Sequence, residues 1–341
     1  MKKWLAYALS VLLLLSLTSC GQNGESTQSP SIPSSAEGTT APVTTKAVDF
    51  PTKAITIIVP TNAGGSYDIF ARTCADAVDL GKPVTVTNMS GGGGGIATME
   101  VYHSPADGYT LLVSSPESIA TCCVTGIYEP DIYQKMIPVR SLATNPYVLL
   151  TSKDSGFKSL EEVVEYAKAH PGELTIAGAS SMTYTQLSVT DMFNQLGIEV
   201  EYVPYDGGAS VRTAIMGGHE SLAVLGAGEA LTAVESGDVV LLCALADERI
   251  SFYPDTPAIK ELGDYNVNIG LHMALYATTG TPQEIMDILG DAFSKAADNA
   301  ELKDKFLSMY YIPANISSEE GVKLTMDVYD KVSAAYEKLS K

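Results

Sequence analysis

Cationic and metal-binding side chains are scarce in this chain. Its 341 residues hold 21 Lys and Arg against 40 Asp and Glu, with four His, five Cys and one Trp, for a formal net charge of −19. A nucleic-acid partner needs a basic stripe to neutralise phosphates, so none is expected. No two cysteines form a C-x-x-C pair, none stands with His at zinc-finger spacing, and H-E-x-x-H is missing, so no metal and no cofactor is expected. G-x-S-x-G is missing too. Ser155-Gly156-Phe157-Lys158 matches S-x-x-K only by letter, because it lies in a Gly-containing loop and that chemistry wants Ser and Lys one helical turn apart. The chain therefore reads as a binding protein, with an exported hydrolase as the alternative.

The only long apolar run is at the start. Lys2 and Lys3 precede an apolar stretch from Leu5 to Leu17, and Leu17-Thr18-Ser19-Cys20 follows, the order of a secretory signal ending in a lipobox. Residues 1–19 are expected to be removed and Cys20 to carry the lipid that anchors an exported protein to the outer face of the cell membrane. Residues 20–48 are Gly, Ser, Thr, Pro and Gln with little to bury, and read as a disordered tether. In an exported protein Cys74 and Cys243 could pair or stay as buried thiols, and Cys122-Cys123 reads as small core or loop residues.

The remaining roughly 290 residues exceed one ordinary hydrophobic core, which predicts two lobes. Apolar runs at 55–59, 84–87, 110–113, 148–150, 200–203, 222–225 and 239–242 alternate with helix-length segments. That alternation predicts an α/β architecture with largely parallel sheets covered on both faces. Helix starts are signalled by Ser159 with Glu162, by Thr281-Pro282 with Glu284, and by Ser317 with Glu320. Five glycines at 91–95 suit neither helix nor strand and predict a tight turn or a close backbone approach.

The most informative segment runs from Ile57 to Asp68. A buried strand gives way to Thr61-Asn62-Ala63-Gly64-Gly65, and a helix opens at Ser66-Tyr67-Asp68. Ligands bind at such strand ends in α/β sheets, and first-turn N–H groups can point at a carboxylate. There is no P-loop Lys and no G-x-G-x-x-G spacing, so a nucleotide fits poorly. Asp68 reads either as an orienter of the loop amides or as a helix cap. A second small polar loop, from Gly178 through Ser180, Ser181 and Thr183 to Tyr184, follows the short strand at Thr175-Ile176, and its hydroxyls read either as ligand contacts or as helix caps.

With both loops in hand, the chain resembles the substrate-binding components of tripartite tricarboxylate transporters from about Phe50 onward. The matching pieces are the run from Phe50 to Thr56, Val59-Pro60, Ala63-Gly64-Gly65, Gly93-Gly94-Gly95-Ile96 and the run from Pro105 to Leu112. Val203-Pro204-Tyr205-Asp206-Gly207-Gly208, Gly217-Gly218, Pro254-Asp255-Thr256-Pro257 and Gly280-Thr281-Pro282 continue it. The resemblance implies a two-lobed, type II-like periplasmic-binding-protein fold with the ligand cleft between lobes. Residues 49–148 plus 272–341 would form one lobe and 149–271 the other. It implies a monomer that closes on a small organic acid, partly through bound water, and hands it to integral membrane transporter subunits. A sensory lipoprotein serving a signalling partner is the alternative use of the same fold. By position the carboxylate-gripping loops fall on Thr61 to Asp68 and Ser180 to Tyr184, with wall residues near Ser114, Ser115 and Tyr205.

Three positions depart from the family pattern. Asp206 replaces the usual Lys after Val-Pro-Tyr, His272 replaces an aromatic ring, and Glu117 replaces a small residue. If Asp206 and Glu117 face the cleft, a ligand that also carries an ammonium group, a zwitterion, is favoured over a polyanion; otherwise both acids are solvated on the rim. His272 reads as a cleft-wall donor that makes binding depend on pH, or as a satisfied interior imidazole. His103, His170 and His219 read as surface or packing residues.

Overall fold

The computed structural model describes residues 48–339 except 180, 182 and 266. The leader, Cys20, nearly all of the tether, and Ser180 lie outside the described residues.

The described strands are β1 (Ile55–Val59), β2 (Val84–Asn88), β3 (Thr110–Ser114), β4 (Met136–Ser152), β5 (Thr175–Ala179), β6 (Glu201–Tyr205), β7 (Leu222–Gly226), β8 (Val239–Ala244), β9 (Gly270–Thr278) and β10 (Ile312–Ile316). The helices are α1 (Ser66–Ala77), α2 (Gly95–His103), α3 (Pro116–Val124), α4 (Ile132–Lys135), α5 (Leu160–Ala169), α6 (Tyr184–Leu196), α7 (Gly208–Met216), α8 (Ala227–Glu235), α9 (Ile259–Leu262), α10 (Gln283–Asp298), α11 (Ala300–Ser308) and α12 (Ser318–Leu339).

β4, 17 residues long, belongs to two half-sheets. Its first part pairs with β9 and β10, completing the order β2-β1-β3-β9-β4-β10. From Tyr147 onward it pairs with β7 and β8, completing β6-β5-β7-β4-β8. The result is a two-lobed, mixed α/β fold with type II-like strand order. The expectation of largely parallel sheets needs correction. β1 is parallel to β2 and β3, and β5 to β6 and β7, because crossover helices link them. Every pairing of β4, and the β3–β9 pair, is antiparallel, because β4 runs straight from one half to the other and β9 returns beside it.

Side chains alternate between the two faces of each half-sheet. Ile57, Val59, Leu111 and Val113 face a core with Phe70, Phe293 and Phe306, whereas Ile58 and Leu112 face a second core with Ile119 and Tyr276. In the other half Leu149 packs with Leu160 and Phe193, and Val148 and Leu150 with Val211 and Leu225. Cys74 and Cys243 are free and belong to cores of different halves, so the pairing option is closed; Cys122 and Cys123 are buried and free. The C-terminal helix α12 reaches across both halves: Val328 and Val332 pack with Ala120 of α3 and Leu187 of α6, and Lys338 Nζ meets Asp191 Oδ1 at 2.7 Å.

Local signals hold at two of the three helix starts. Ser159 accepts the Glu162 N–H at 3.3 Å, and Ser317 with Glu320 makes both bonds of a capping box. Thr281 fails as a cap because the helix begins at Gln283, one residue too late, and its hydroxyl donates to the Thr278 carbonyl at 2.8 Å. Four of the five glycines do enter helical structure. Gly91 to Gly94 all have positive φ, a 3₁₀ turn covers Gly92–Gly94, and Gly95 opens α2 against the Tyr128 ring.

Candidate functional site

The first loop is held from behind by an acid. Asp68 is 3% exposed, and its oxygens accept from the Gly64 N–H at 2.8 Å, from Asn88 Nδ2 at 2.9 Å and from Arg72 at 2.9 and 3.1 Å. The Arg72 bonds, with help from Gly64 and Asn88, overcome burial and hold its carboxyl down to about 2. Asn88 also donates to the Thr61 carbonyl at 3.0 Å, and Ser90 to Asn62 Oδ1 at 2.7 Å. Asp68 is thus the orienter of the loop amides, and both its oxygens are occupied.

The front of the loop is open. Gly65 is the N-cap of α1 and supplies no side-chain acceptor, so the first-turn amides lack a cap. Asn62, Ala63, Gly64 and Ser66 are exposed. Gly64 has φ 82, and a Cβ on Gly65 would stand 3.2 Å from Thr61 Oγ1, an atom that is buried without a hydrogen-bond partner.

Behind the loop, Tyr67 donates to Ser115 Oγ at 3.1 Å and lies 2.9 Å from Ser118 Oγ. Burial raises its phenol to about 12, so it stays a protonated donor. Ser115 caps α3 through the Ser118 N–H, and Ser114 beside it is also buried. Glu117, 1% exposed, is no rim residue: its Oε1 lies 2.6 Å from His272 Nδ1 and its Oε2 accepts the His272 backbone N–H at 3.1 Å. Burial pushes the His272 imidazole down, but Glu117 outweighs it and the net shift is upward. His272 thus has one buried acid as its partner, while its side chain stays 24% exposed at a cavity it shares with Thr144, Pro146 and Asp247.

In the second half, Thr183 caps α6 by accepting the Gln186 N–H at 3.3 Å, and Ser181 is exposed. Tyr184 donates to the Asn268 carbonyl at 3.0 Å and is raised first by burial and then by the charge of Glu117, which brings α6 of one half against α3 of the other. Tyr205 lies apart from these groups, its hydroxyl on Glu220 Oε1 at 2.8 Å. Asp206 is exposed, and its carbonyl accepts from Ser210.

Sequence reasoning missed four residues at the junction of the halves. Tyr147 sits where β4 crosses and is raised by burial, then by Glu229, then by Tyr67. Tyr311 lies within reach of the Ser66 hydroxyl and also feels Glu229. Asn145, 6% exposed, has a buried Oδ1 without a partner. Glu229, in the first turn of α8, accepts the Gly226 N–H at 3.3 Å. Gly226-Ala227-Gly228-Glu229 repeats the strand, small-residue loop and helix order of the first loop, a signal that was present in the sequence.

The charge of Glu229 is felt at both Tyr147 and Tyr311, which link the starts of α1 and α8, and Glu117 at the start of α3 is felt at both Tyr67 and Tyr184. Of these starts α3 and α6 are capped by Ser115 and Thr183, and the uncapped first-turn amides of α1 suit an anion. Among the described residues no three His, Cys, Asp or Glu side chains group to hold a metal, and no helix is long and apolar enough to cross a membrane.

Comparison with known proteins agrees with this fold. BugT of Bordetella pertussis is 31% identical over 283 residues, covering 81% of this chain and 85% of its own length. MatC of Rhodopseudomonas palustris, solved with bound malate, superposes with a TM-score of 0.70 at 26% identity over 84% of this chain and 99% of its own. A second R. palustris protein, solved with adipate, gives 0.71 at 25% identity over 84% and 98%. The sequence profile of the tripartite tricarboxylate transporter family receptor matches residues 70–340, and with that match, the resembling motifs and the two-lobed fold, the chain belongs to this family of solute receptors.

Proposed function

We propose that this chain is an exported receptor that closes on a small carboxylate and delivers it to integral membrane transporter subunits. The observation that carries this reading is the uncapped start of α1, presented by a loop that Asp68 locks from behind. The malate and adipate seen in MatC and in the adipate-bound neighbour support a small organic acid as ligand.

In this reading Val148, packed in the second half's core, moves with the second lobe, so residues 49–144 with 272–341 form one lobe and those between form the other, about the two crossings. These lie at Asn145 to Tyr147 and at Ile269 to Leu271, where the Tyr147 N–H bonds the Ile269 carbonyl. Ligand bridging both sides shifts the population to the closed form. Ser66 and Tyr67 contribute first-turn amides, Thr183 and Tyr184 line the opposite side, and Cys20 carries the lipid anchor.

Thermal melting against di- and tricarboxylates, amino acids and amines tests this. A ligand at about 100 times its Kd adds roughly 2.7 kcal/mol, a rise of a few degrees. Gly65→Val, which crowds Thr61 Oγ1 and the Asn62 carbonyl, should keep the melting temperature within a few degrees and lose about a hundredfold in affinity. No stabilisation by any carboxylate, or full affinity in Gly65→Val, would overturn the reading. Palmitate labelling that is lost in Cys20→Ser checks the anchor.

A further inference from the structure

The second half holds a carboxylate of its own at the starts of two helices. Glu229 accepts the Gly226 N–H that opens α8, and its carboxyl group also lies over the start of α7. A Cβ on Gly208, the first residue of α7, would stand 2.6 Å from both Cδ and Oε1 of Glu229. Neither Gly207 nor Gly226 has a side chain to cap these helices, so Glu229 supplies negative charge to both. Among the described residues it forms no ion pair. Arg212 uses its Nη1 on the Glu229 backbone carbonyl at 2.9 Å rather than on the carboxylate; burial raises the Glu229 carboxyl, and the Gly226 N–H and the Arg212 charge partly offset that rise.

Beside that acid is an unpaired acceptor. Asn145 is 6% exposed and its Oδ1 has no hydrogen-bond partner. Asn145 Oδ1, Asn145 Nδ2 and Glu229 Oε2 flank Gly226, at 3.1, 3.2 and 3.3 Å from where a Cβ on that residue would stand. An acceptor buried without a donor is costly, and a donor arriving with the ligand relieves it. Glu117, the acid that sequence singled out, cannot play this part because His272 occupies both its oxygens. Asp206 is exposed.

We propose that Asn145 and Glu229 form the recognition site for an ammonium group, so that the ligand is a monocarboxylate bearing a protonated amine rather than a dicarboxylate. This rests on the carboxylate reading above and specifies the far end of the molecule. The ligand carboxylate takes the uncapped start of α1. Its ammonium donates to Asn145 Oδ1 and to the Glu229 carboxylate and neutralises a partly desolvated charge. A second carboxylate at that end would meet Glu229 as a like charge and leave Asn145 unpaired, and both effects discriminate against it.

Two isosteric pairs test the proposal by calorimetry on the purified full-length chain: adipate against 5-aminopentanoate, and succinate against β-alanine. Each pair shares one carboxylate and the same chain and differs only at the far terminus. The amino acid should bind roughly tenfold or more tightly than its dicarboxylate partner in at least one pair, and Glu229→Gln should shrink that ratio roughly tenfold. Dicarboxylates binding equally or better in both pairs would overturn the proposal, as would an unchanged ratio in Glu229→Gln. The wild-type ranking decides the matter even if the variant fails to fold. Binding by dicarboxylates alone leaves the carboxylate reading standing and removes only this one; the failure of all four ligands and of the wider carboxylate panel would remove both.

Discussion

Asp68 and Glu229 are both acids in the first turn of a helix that follows a buried strand, and they do opposite things. Asp68 turns back into Arg72, Asn88 and the Gly64 amide, which spends its charge and leaves the start of α1 open. Glu229 turns onto the starts of α7 and α8 and keeps its charge at the junction of the halves. A first-turn carboxylate therefore prepares one half for an anion and, in the ammonium reading, closes the other to one. What an acid is bonded to, rather than its place in the motif, sets the sign of the site.

Glu117 is the third acid in this comparison, and removing it should have the largest effect on stability. Glu117→Ala leaves His272 facing an empty buried position and should cost about 3 kcal/mol in urea unfolding, whereas Glu229→Gln, at a partly solvated carboxylate, should stay within about 1 kcal/mol. The pair is also linked to pH. The His272 pKa is raised in the fold, so its stabilisation is fully present below about pH 6.5 and is lost as pH rises through the raised value. Melts of wild type and Glu117→Gln should therefore converge on going from about pH 6 toward about pH 9. A gap independent of pH would show that Glu117 acts by packing alone.

Asp68→Asn probes the other side of the comparison. It removes the Arg72 pairing that fixes the loop, and should lower affinity for a carboxylate about tenfold while the fold survives. Because the Asp68 pKa is depressed from 3.8 to about 2, its contribution is present above about pH 4 and is lost as pH falls through about 2. Wild type and Asp68→Asn should thus differ at neutral pH and converge in acid melts. The smallest effect is expected at the α12 strap. Lys338→Ala breaks an exposed pair with Asp191 and should change stability by less than about 0.5 kcal/mol, leaving ligand ranking unchanged.

Much of this was legible in the sequence, and the gaps have physical reasons. Strands with strong apolar runs, such as Ile55–Val59 and Leu222–Gly226, stood out, as did the loop from Thr61 to Gly65. The first part of β4 did not, because Pro138, Arg140 and Pro146 break its pattern and its register shifts at Pro138/Arg140 and Ser141/Ala143. β9 reads as an ordinary apolar segment, and only its pairing beside β4 makes the centre antiparallel. The partner of an acid is a matter of distance across the fold: His272 lies 155 residues from Glu117, and no local pattern joins them. Gly226 to Glu229 was the one signal that local reasoning could have used, since it repeats the logic of the first loop.

The most direct test of the account is the distance between the halves with and without ligand. Ile96 and Met216 are exposed, one on α2 of the first half and one at the end of α7 in the second. The native thiols Cys74, Cys122, Cys123 and Cys243 are buried with raised pKa values, so spin labels at Ile96→Cys and Met216→Cys in a Cys20→Ser background should react selectively. The account predicts that saturating the best ligand of the melting panel shifts the distance distribution to a single narrower population, and that Gly65→Val abolishes the shift. Calorimetric binding with an unchanged distribution would contradict closure of the two halves around the ligand.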